Sequence, residues 1–295
     1  MKFINLIILI FFLNTLIFAE DKKIRDWNFG ITEESTMLVK FKDANIAIRA
    51  WFEEMGEIYN INIDVNFYEK TSFLYDKFKR REVDVMILDI PFFFKHREEL
   101  EKNIKNIWSL SIDNEINTQY YLLANKSKNN NGFSDLKNKT FSIKEDDAIA
   151  INWLNKKSYE KNKTKAKNLL KKINEEKNDR RVLLNVFFGK VDYAIITKKA
   201  WEDLLSFNPS IKNKVEIIDK SKKIFIPFIG VHAKWASDET VDLFYNASKN
   251  LKTLKGGENV IEILKFDSVY KLDDKSLVQL DKYFKEYFEL EKKYR

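Results

Sequence analysis

The chain has no cysteine, and only two of its 295 residues are histidine. The first absence excludes disulfides and a lipid anchor on an N-terminal cysteine, although a chain of this length needs no covalent staples to fold. The second leaves little for metal binding or acid-base catalysis, because His96 and His232 lie in no metal-ligand spacing and beside no nucleophile motif. No GxSxG, P-loop or HExxH pattern occurs. Paired acids are frequent in so charged a chain and nominate no catalytic site by themselves. The sequence therefore reads as a non-enzyme with no expected cofactor.

Charge of one sign is also missing. The 52 Lys and Arg residues are interleaved with 45 Asp and Glu, so the formal net charge of +7 is spread over a mixed surface. Lysine-rich runs such as residues 161–167 (KNKTKAK) lack the interleaved aromatics of a single-strand-binding groove, and no nucleic-acid partner is expected. Long apolar runs are confined to the start. Met1 and Lys2 precede residues 3–18 (FINLIILIFFLNTLIF), which Ala19 and two acids follow. A positive start, an apolar stretch and a small residue read as a secretory signal peptide, residues 1–19, cleaved after Ala19. Ile17, three places before the cut, leaves an uncleaved N-terminal anchor as the other reading. The remainder is expected to work in the periplasm as a monomer.

The 44% of hydrophobic residues is enough for substantial cores. Residues 27–31 (WNFGI) read as a strand. A helix over 44–57 carries Ile48, Trp51, Phe52 and Met55 at helical spacing, and residues 61–67 (INIDVNF) alternate as a half-buried strand. A helix over 72–80 and a buried strand over 83–88 (VDVMIL) follow. Strand, helix, strand, helix, strand is the order of βαβ units in a parallel sheet. The order recurs after the polar segment 126–134 (KSKNNNGFS), with a strand near 135–143, a helix over 181–188 and the run FGKVDYAIIT over 188–197. Asp192 stands at the mouth of that run as Asp84 stands at the mouth of VDVMIL. Both acids mark where a strand enters its sheet, so a structural role is expected for each. Residues 215–219 and 224–231 complete the second lobe and cross back, and amphipathic helices over 238–250, 258–266 and 276–292 pack on the lobes. The expectation is an α/β chain in two lobes, with 25–122 plus 226–295 as the first and 123–225 as the second.

The segments NFGIT at 28–32, the helix ending in VDV at 83–85, LLANK at 122–126, DLKNKTF at 135–141 and GKVDYA at 189–194 occur in an order that resembles the phosphate/phosphite/phosphonate-binding proteins of ABC importers. The resemblance spans residues 27–271. It implies the type 2 periplasmic-binding fold, with a hinge, a cleft between the lobes, a small-molecule ligand in that cleft and an inner-membrane permease as partner. A periplasmic sensing or partner-binding protein that kept this fold without transport is the alternative.

The family's anion-binding turn, rich in Ser and Thr at a helix head, is replaced here by residues 144–151 (KEDDAIAI), in which carboxylates stand where an anion would sit. Family tyrosines fall on Thr71 and Thr118, with Tyr120 and Tyr121 just beyond, a histidine falls on Asp179, and ligand-holding acids fall near Lys199 and Phe228. Ligands of open α/β sheets lie beyond the carboxyl ends of strands. There stand Thr32, Glu33 and Ser35, which also read as a surface loop, and Asp89, which also reads as a helix cap ahead of Pro91. Asp146 and Asp147 either cap the helix beginning near Ala148 or repel anions and invite an amine. Thr197 and Lys199 point instead toward a carboxylate or phosphate. The candidate ligand contacts are thus Thr32, Glu33, Ser35, Thr71, Asp89, Thr118, Tyr120, Asp146, Asp147, Thr197 and Lys199.

Overall fold

A computed structural model describes residues 26–32, 42–128, 130–145, 147–254, 257, 258, 261 and 266–294. In chain order these form β1 (Trp27–Thr32), α1 (Lys42–Tyr59), β2 (Ile63–Tyr68), α2 (Thr71–Lys79), β3 (Val85–Leu88), α3 (Ile90–Lys95), α4 (Arg97–Leu100), β4 (Ile104–Ser111) and β5 (Tyr120–Asn125). Then come β6 (Thr140–Lys144), α5 (Ala148–Asn162), β7 (Lys172–Glu176), α6 (Asp179–Phe187), β8 (Tyr193–Thr197), α7 (Lys198–Phe207), α8 (Ile211–Lys214), β9 (Val215–Lys220), β10 (Ile229–Ala233), α9 (Asp238–Lys249), β11 (Ser268–Leu272) and α10 (Asp274–Tyr294). The helix expected over 258–266 falls largely outside the described residues.

Two sheets result, in the orders β11-β4-β10-β3-β1-β2 and β7-β6-β8-β5-β9. In each, three parallel strands are joined by helical crossovers, and an antiparallel strand, β10 or β5, is the first that the chain forms after crossing from the other sheet; β11 is a second antiparallel strand, at the edge of the first sheet. β3, flanked by β1 and β10, is buried along its whole length, as its unbroken apolar sequence requires. β7 (KINEE) carries its charges at a sheet edge, where they also discourage edge-to-edge pairing.

β5 pairs throughout with β8 and β9, so the chain passes to the second sheet between Ser111 and Tyr120, ahead of the division expected at 122. β10 lies wholly between β3 and β4, so residues 224–228 cross back and complete no strand of the second sheet. The backbones of the two crossings pair at one bridge. Thr118 donates its amide to the Phe225 carbonyl at 2.6 Å and accepts from the Phe225 amide at 3.3 Å. α10 lies against both halves: Phe284 stacks on Phe94 of α3 at 5.0 Å, Arg97 pairs with Asp281 at 3.2 Å, and Lys156 of α5 reaches Glu286 at 2.8 Å.

The two aspartates at the strand mouths do one job. Asp84 donates its amide to the Asn28 carbonyl at 2.9 Å, and its carboxylate accepts the Asn28 amide at 3.0 Å. Asp192 repeats the clamp on Thr140 at 3.0 and 2.8 Å, and also accepts the Thr140 hydroxyl and Lys128 Nζ. Each side chain therefore fixes the start of the neighbouring parallel strand. Each is also set by a left-handed residue three places earlier, Arg81 at φ 60° and Gly189 at φ 69°, which ends the preceding helix. Asp192→Ala should cost about 1–3 kcal/mol, because Thr140 loses a charged partner. Urea unfolding checks this, and an unchanged midpoint would remove the clamp from the account.

A buried polar knot lies behind the first sheet. Asn106 Oδ1 accepts from His232 Nδ1 at 2.7 Å and from the Tyr245 hydroxyl at 3.2 Å, and the imidazole is enclosed by Trp27, Trp108 and Phe244. Burial, with Lys105 and Lys271 adding to it, pushes His232 down from 6.5 to about 3. The unfolded chain thus takes up this proton first. The contribution of neutral His232 is complete above pH 6.5 and is lost as pH falls from there toward 3, at about 1.4 kcal/mol per pH unit. Between pH 6.5 and 5 the wild type should lose about 2 kcal/mol more unfolding free energy than His232→Gln. Parallel curves for the two proteins would contradict it.

Candidate functional site

Between the two sheets lies a cavity of about 280 Å³, floored by the crossings and walled by the first turns of α3, α5 and α7. Its apolar surface comes from residues such as Ile90, Pro91, Ile149, Ile226 and Pro227, and its chemistry from the helix heads. Every one of those heads is filled by its own cap. Asp89 accepts the Phe92 amide at 3.1 Å, Asp147 the Ala150 amide at 2.9 Å and Thr197 the Ala200 amide at 3.1 Å. Pro91 stands in the first turn of α3, where it has no amide to lose. The positive ends of two of the three helices are thereby covered by carboxylates of the chain itself.

Asp147 is the most constrained of the caps. The same Oδ1 that holds Ala150 takes a 3.0 Å hydrogen bond from the hydroxyl of Tyr120, a side chain buried at the start of β5. Burial raises the Asp147 carboxyl above the ordinary range. The Ala150 amide, Tyr120 and Lys144 pull against that rise, and Asp179 reinforces it. Burial likewise raises Asp179, the first residue of α6, against the pull of Lys144. Two half-buried acids thus stand at the neighbouring heads of α5 and α6, which follow the paired strands β6 and β7.

The lysines of the cavity are already engaged. Lys199 reaches Asp203 at 2.6 Å and Asp113 at 2.9 Å, Lys198 reaches Glu202 at 2.8 Å, and Lys223 reaches Glu115 at 2.7 Å. Asp113 sits at the tip of a two-residue turn between Ile112 and Glu115, where it and Asn114 have φ of 53° and 59°. That is the twist a tight hairpin needs, and Asp and Asn are residues that tolerate it. The turn therefore holds a carboxylate out toward α7. Five carboxylates and three lysines line the cavity in all.

Of the residues expected from sequence, Asp89, Thr118, Tyr120, Asp147, Thr197 and Lys199 meet in this cavity. Thr32 and Thr71 do meet, but with each other: their hydroxyls lie 3.1 Å apart, fully buried, outside the cavity wall. Glu33, Ser35 and Asp146 lie outside the described residues. Asp113, Glu115, Glu202 and Lys223 are further polar residues of the wall that sequence reasoning does not single out; the Asp-Asn turn is the one local signal for the first. The described residues contain no cluster of His, Cys, Asp and Glu suited to a metal, and no helix among them is long and apolar enough to cross a membrane.

Comparison with known proteins places this geometry. The family model for the periplasmic substrate-binding protein of phosphonate ABC transporters matches residues 45–277. Among solved structures, the chain is similar to a binding protein component of an ABC phosphonate transporter from Pseudomonas aeruginosa, with a TM-score of 0.59 and 15% identity over 90% of this chain and 88% of that one. It is similar to PhnD1 from Prochlorococcus marinus in complex with methylphosphonate (TM-score 0.60, 13% identity, 89% and 98% covered). It is also similar to XAC2383 from Xanthomonas citri bound to ATP (TM-score 0.63, 8% identity, 91% and 99% covered). No curated protein sequence matches the chain. At these identities the structures share the fold, which is the two-lobed type 2 periplasmic-binding fold.

Asp147→Asn should keep the helix cap, since Asn caps as well as Asp, while removing the half-buried charge. A carboxyl whose pKa is raised by folding destabilises the folded state once ionised, and that cost is relieved as pH falls through the raised value. Acidification from neutral pH should therefore favour the wild type relative to Asp147→Asn. Chemical unfolding of both proteins at pH 7 and pH 4 reads this difference; a shift of the opposite sign would place Asp147 in a solvated, salt-bridged setting.

Proposed function

The chain belongs to the family of phosphonate-type periplasmic substrate-binding proteins of ABC transporters, and on that premise we propose that it delivers to an inner-membrane permease a small ligand bearing an amine rather than a phosphonate. One observation carries the ligand class: the α5 head, where helix amides could receive an anion, already holds the Asp147 carboxylate, fastened by Ala150 and Tyr120. An incoming phosphonate would have to displace that carboxylate and then face the charge of Asp179 nearby. An ammonium group meets the opposite situation. It finds one half-buried acid at the α5 head and a second at the α6 head, and it adds to the counter-charge that Lys144 already supplies to both.

The paired lysines support the same reading. An anion would have to break an ion pair at Lys198, Lys199 or Lys223 to use it, whereas a cation leaves all four pairs intact. The ligand closes the cleft by the contacts that both lobes make to it, and the two short crossings joined at Thr118 and Phe225 are where the chain can bend. The cavity is at the small end of ligand sites, which suits a ligand of metabolite size.

A thermal-shift panel on the purified protein at pH 7 tests the ligand class, with putrescine, arginine and glycine betaine set against methylphosphonate and inorganic phosphate. A ligand present at 100 times its Kd adds about 2.7 kcal/mol of stability, enough for a shift of several degrees. Stabilisation by at least one amine and by neither oxyanion is expected. Stabilisation by methylphosphonate with no response to any amine would overturn the proposal.

A further inference from the structure

A second concavity lies on the far side of the hinge from the cleft, between α5, the segment that leaves β9, and α10. Its volume is about 640 Å³, larger than the cleft cavity, and its charge is the reverse: five lysines line it against two glutamates. The three walls each contribute lysine, with Lys156 and Lys157 from α5, Lys220 and Lys222 from the outgoing segment, and Lys282 from α10. Lys156 is nearly buried and spends its charge on both glutamates, Glu160 at 3.2 Å and Glu286 at 2.8 Å. With both glutamates so occupied, and Lys157 paired at 3.5 Å with Asp219 beside the groove, Lys220, Lys222 and Lys282 set its sign.

The field they create is visible at Glu286, whose carboxyl is held below its ordinary range by the hydrogen bond from Lys156 first, with Lys282 and Lys222 adding to it. On the same wall the buried Tyr283 hydroxyl has no hydrogen-bond partner among the described residues, so the wall carries a donor in want of an acceptor. No arginine lines the groove. An anion here would therefore be met by ammonium point charges converging from three directions and not by a planar fork, although either group binds phosphate oxygens.

We propose that this groove is a second binding site, taking from solution a diphosphate-type polyanion long enough to reach lysines on more than one of its three walls. The site is independent of the cleft and of the ligand assigned to it. It places the anion affinity of the chain behind the hinge, on the residues that join α5 of the second lobe to the helix strapped across both.

Titration calorimetry of the full chain with inorganic pyrophosphate and inorganic phosphate, at low and at physiological salt, tests the proposal. Pyrophosphate should bind, and more weakly as salt rises, whereas inorganic phosphate, too short to span the walls, should not; binding of both with equal affinity would contradict the assignment to a diphosphate. Lys222→Glu with Lys282→Glu should weaken it at least tenfold, and Lys222→Arg with Lys282→Arg should restore most of that loss in a protein of the same far-UV spectrum. Acetylation footprinting then locates the anion: pyrophosphate should protect Lys222 and Lys282 and leave Lys198 and Lys223 of the cleft unprotected. The absence of binding, or binding indifferent to the glutamate variants, would overturn this proposal alone. Protection of the cleft lysines instead would overturn it together with the amine reading of the cleft. Capture by phosphatidic-acid vesicles without binding of free pyrophosphate would show a membrane headgroup to be the occupant and contradict the assignment to a soluble anion.

Discussion

The site depends on a single kind of interaction, a side chain of the chain itself closing the amide end of a helix that faces the cleft. Asp89, Asp147 and Thr197 do this for α3, α5 and α7. Two α/β lobes facing each other inevitably aim helix amides into the gap, because crossover helices begin at the carboxyl ends of parallel strands. Such ends are ready-made anion sites when left open. Here they are closed, two of them by negative charge, so the same scaffold that suits an anion presents acid instead. Burial then makes the charge at Asp147 costly, and the Tyr120 hydroxyl and the Lys144 field offset only part of that cost. A cation that enters the cleft offsets more of it, which is why the electrostatics of the cap bear directly on the class of ligand.

The same residue type has a different task at the other end of the strands. Asp84 and Asp192 also accept backbone amides, but those amides belong to neighbouring strands, and the bonds fix where β1 and β6 begin relative to β3 and β8. Each lobe thus uses one aspartate at the strand entrance to hold its register and another residue at the strand exit to close a helix. The separation is about the length of a strand. It explains how an acid in a conspicuous motif can be remote from the cleft while a less conspicuous acid, Asp147 in a run of charged residues, lines it.

Much of this was legible without coordinates. Periodicity and the repeated valine-aspartate unit mark β3 and β8 and the helices before them, and the position of Asp192 at a strand entrance already argues against a ligand role. The strands that hydropathy does not mark have specific reasons. β4 carries Asn106, Ser109 and Ser111 in buried positions, where they are matched by His232, the Phe228 carbonyl and Ser268, so its sequence looks too polar for a central strand. β7 is an edge strand whose charges face solvent. In the site, caps are readable because Asp or Thr ahead of a helix has a local signature. Contacts made across the chain are not, and so the pairing of Thr32 with Thr71, the reach of Lys199 to Asp113 and the convergence of Asp147 with Asp179 emerge only from the fold.

The central claim is that the Asp147 carboxylate, occupying the α5 head, is what turns an anion-type scaffold away from anions. The most direct measurement is calorimetric titration of methylphosphonate into the wild type and into Asp147→Ser, a substitution that keeps a helix-capping oxygen and withdraws the charge. The account predicts no binding to the wild type and measurable binding to the variant. Binding of methylphosphonate to the wild type that is equal to or tighter than to Asp147→Ser would contradict it.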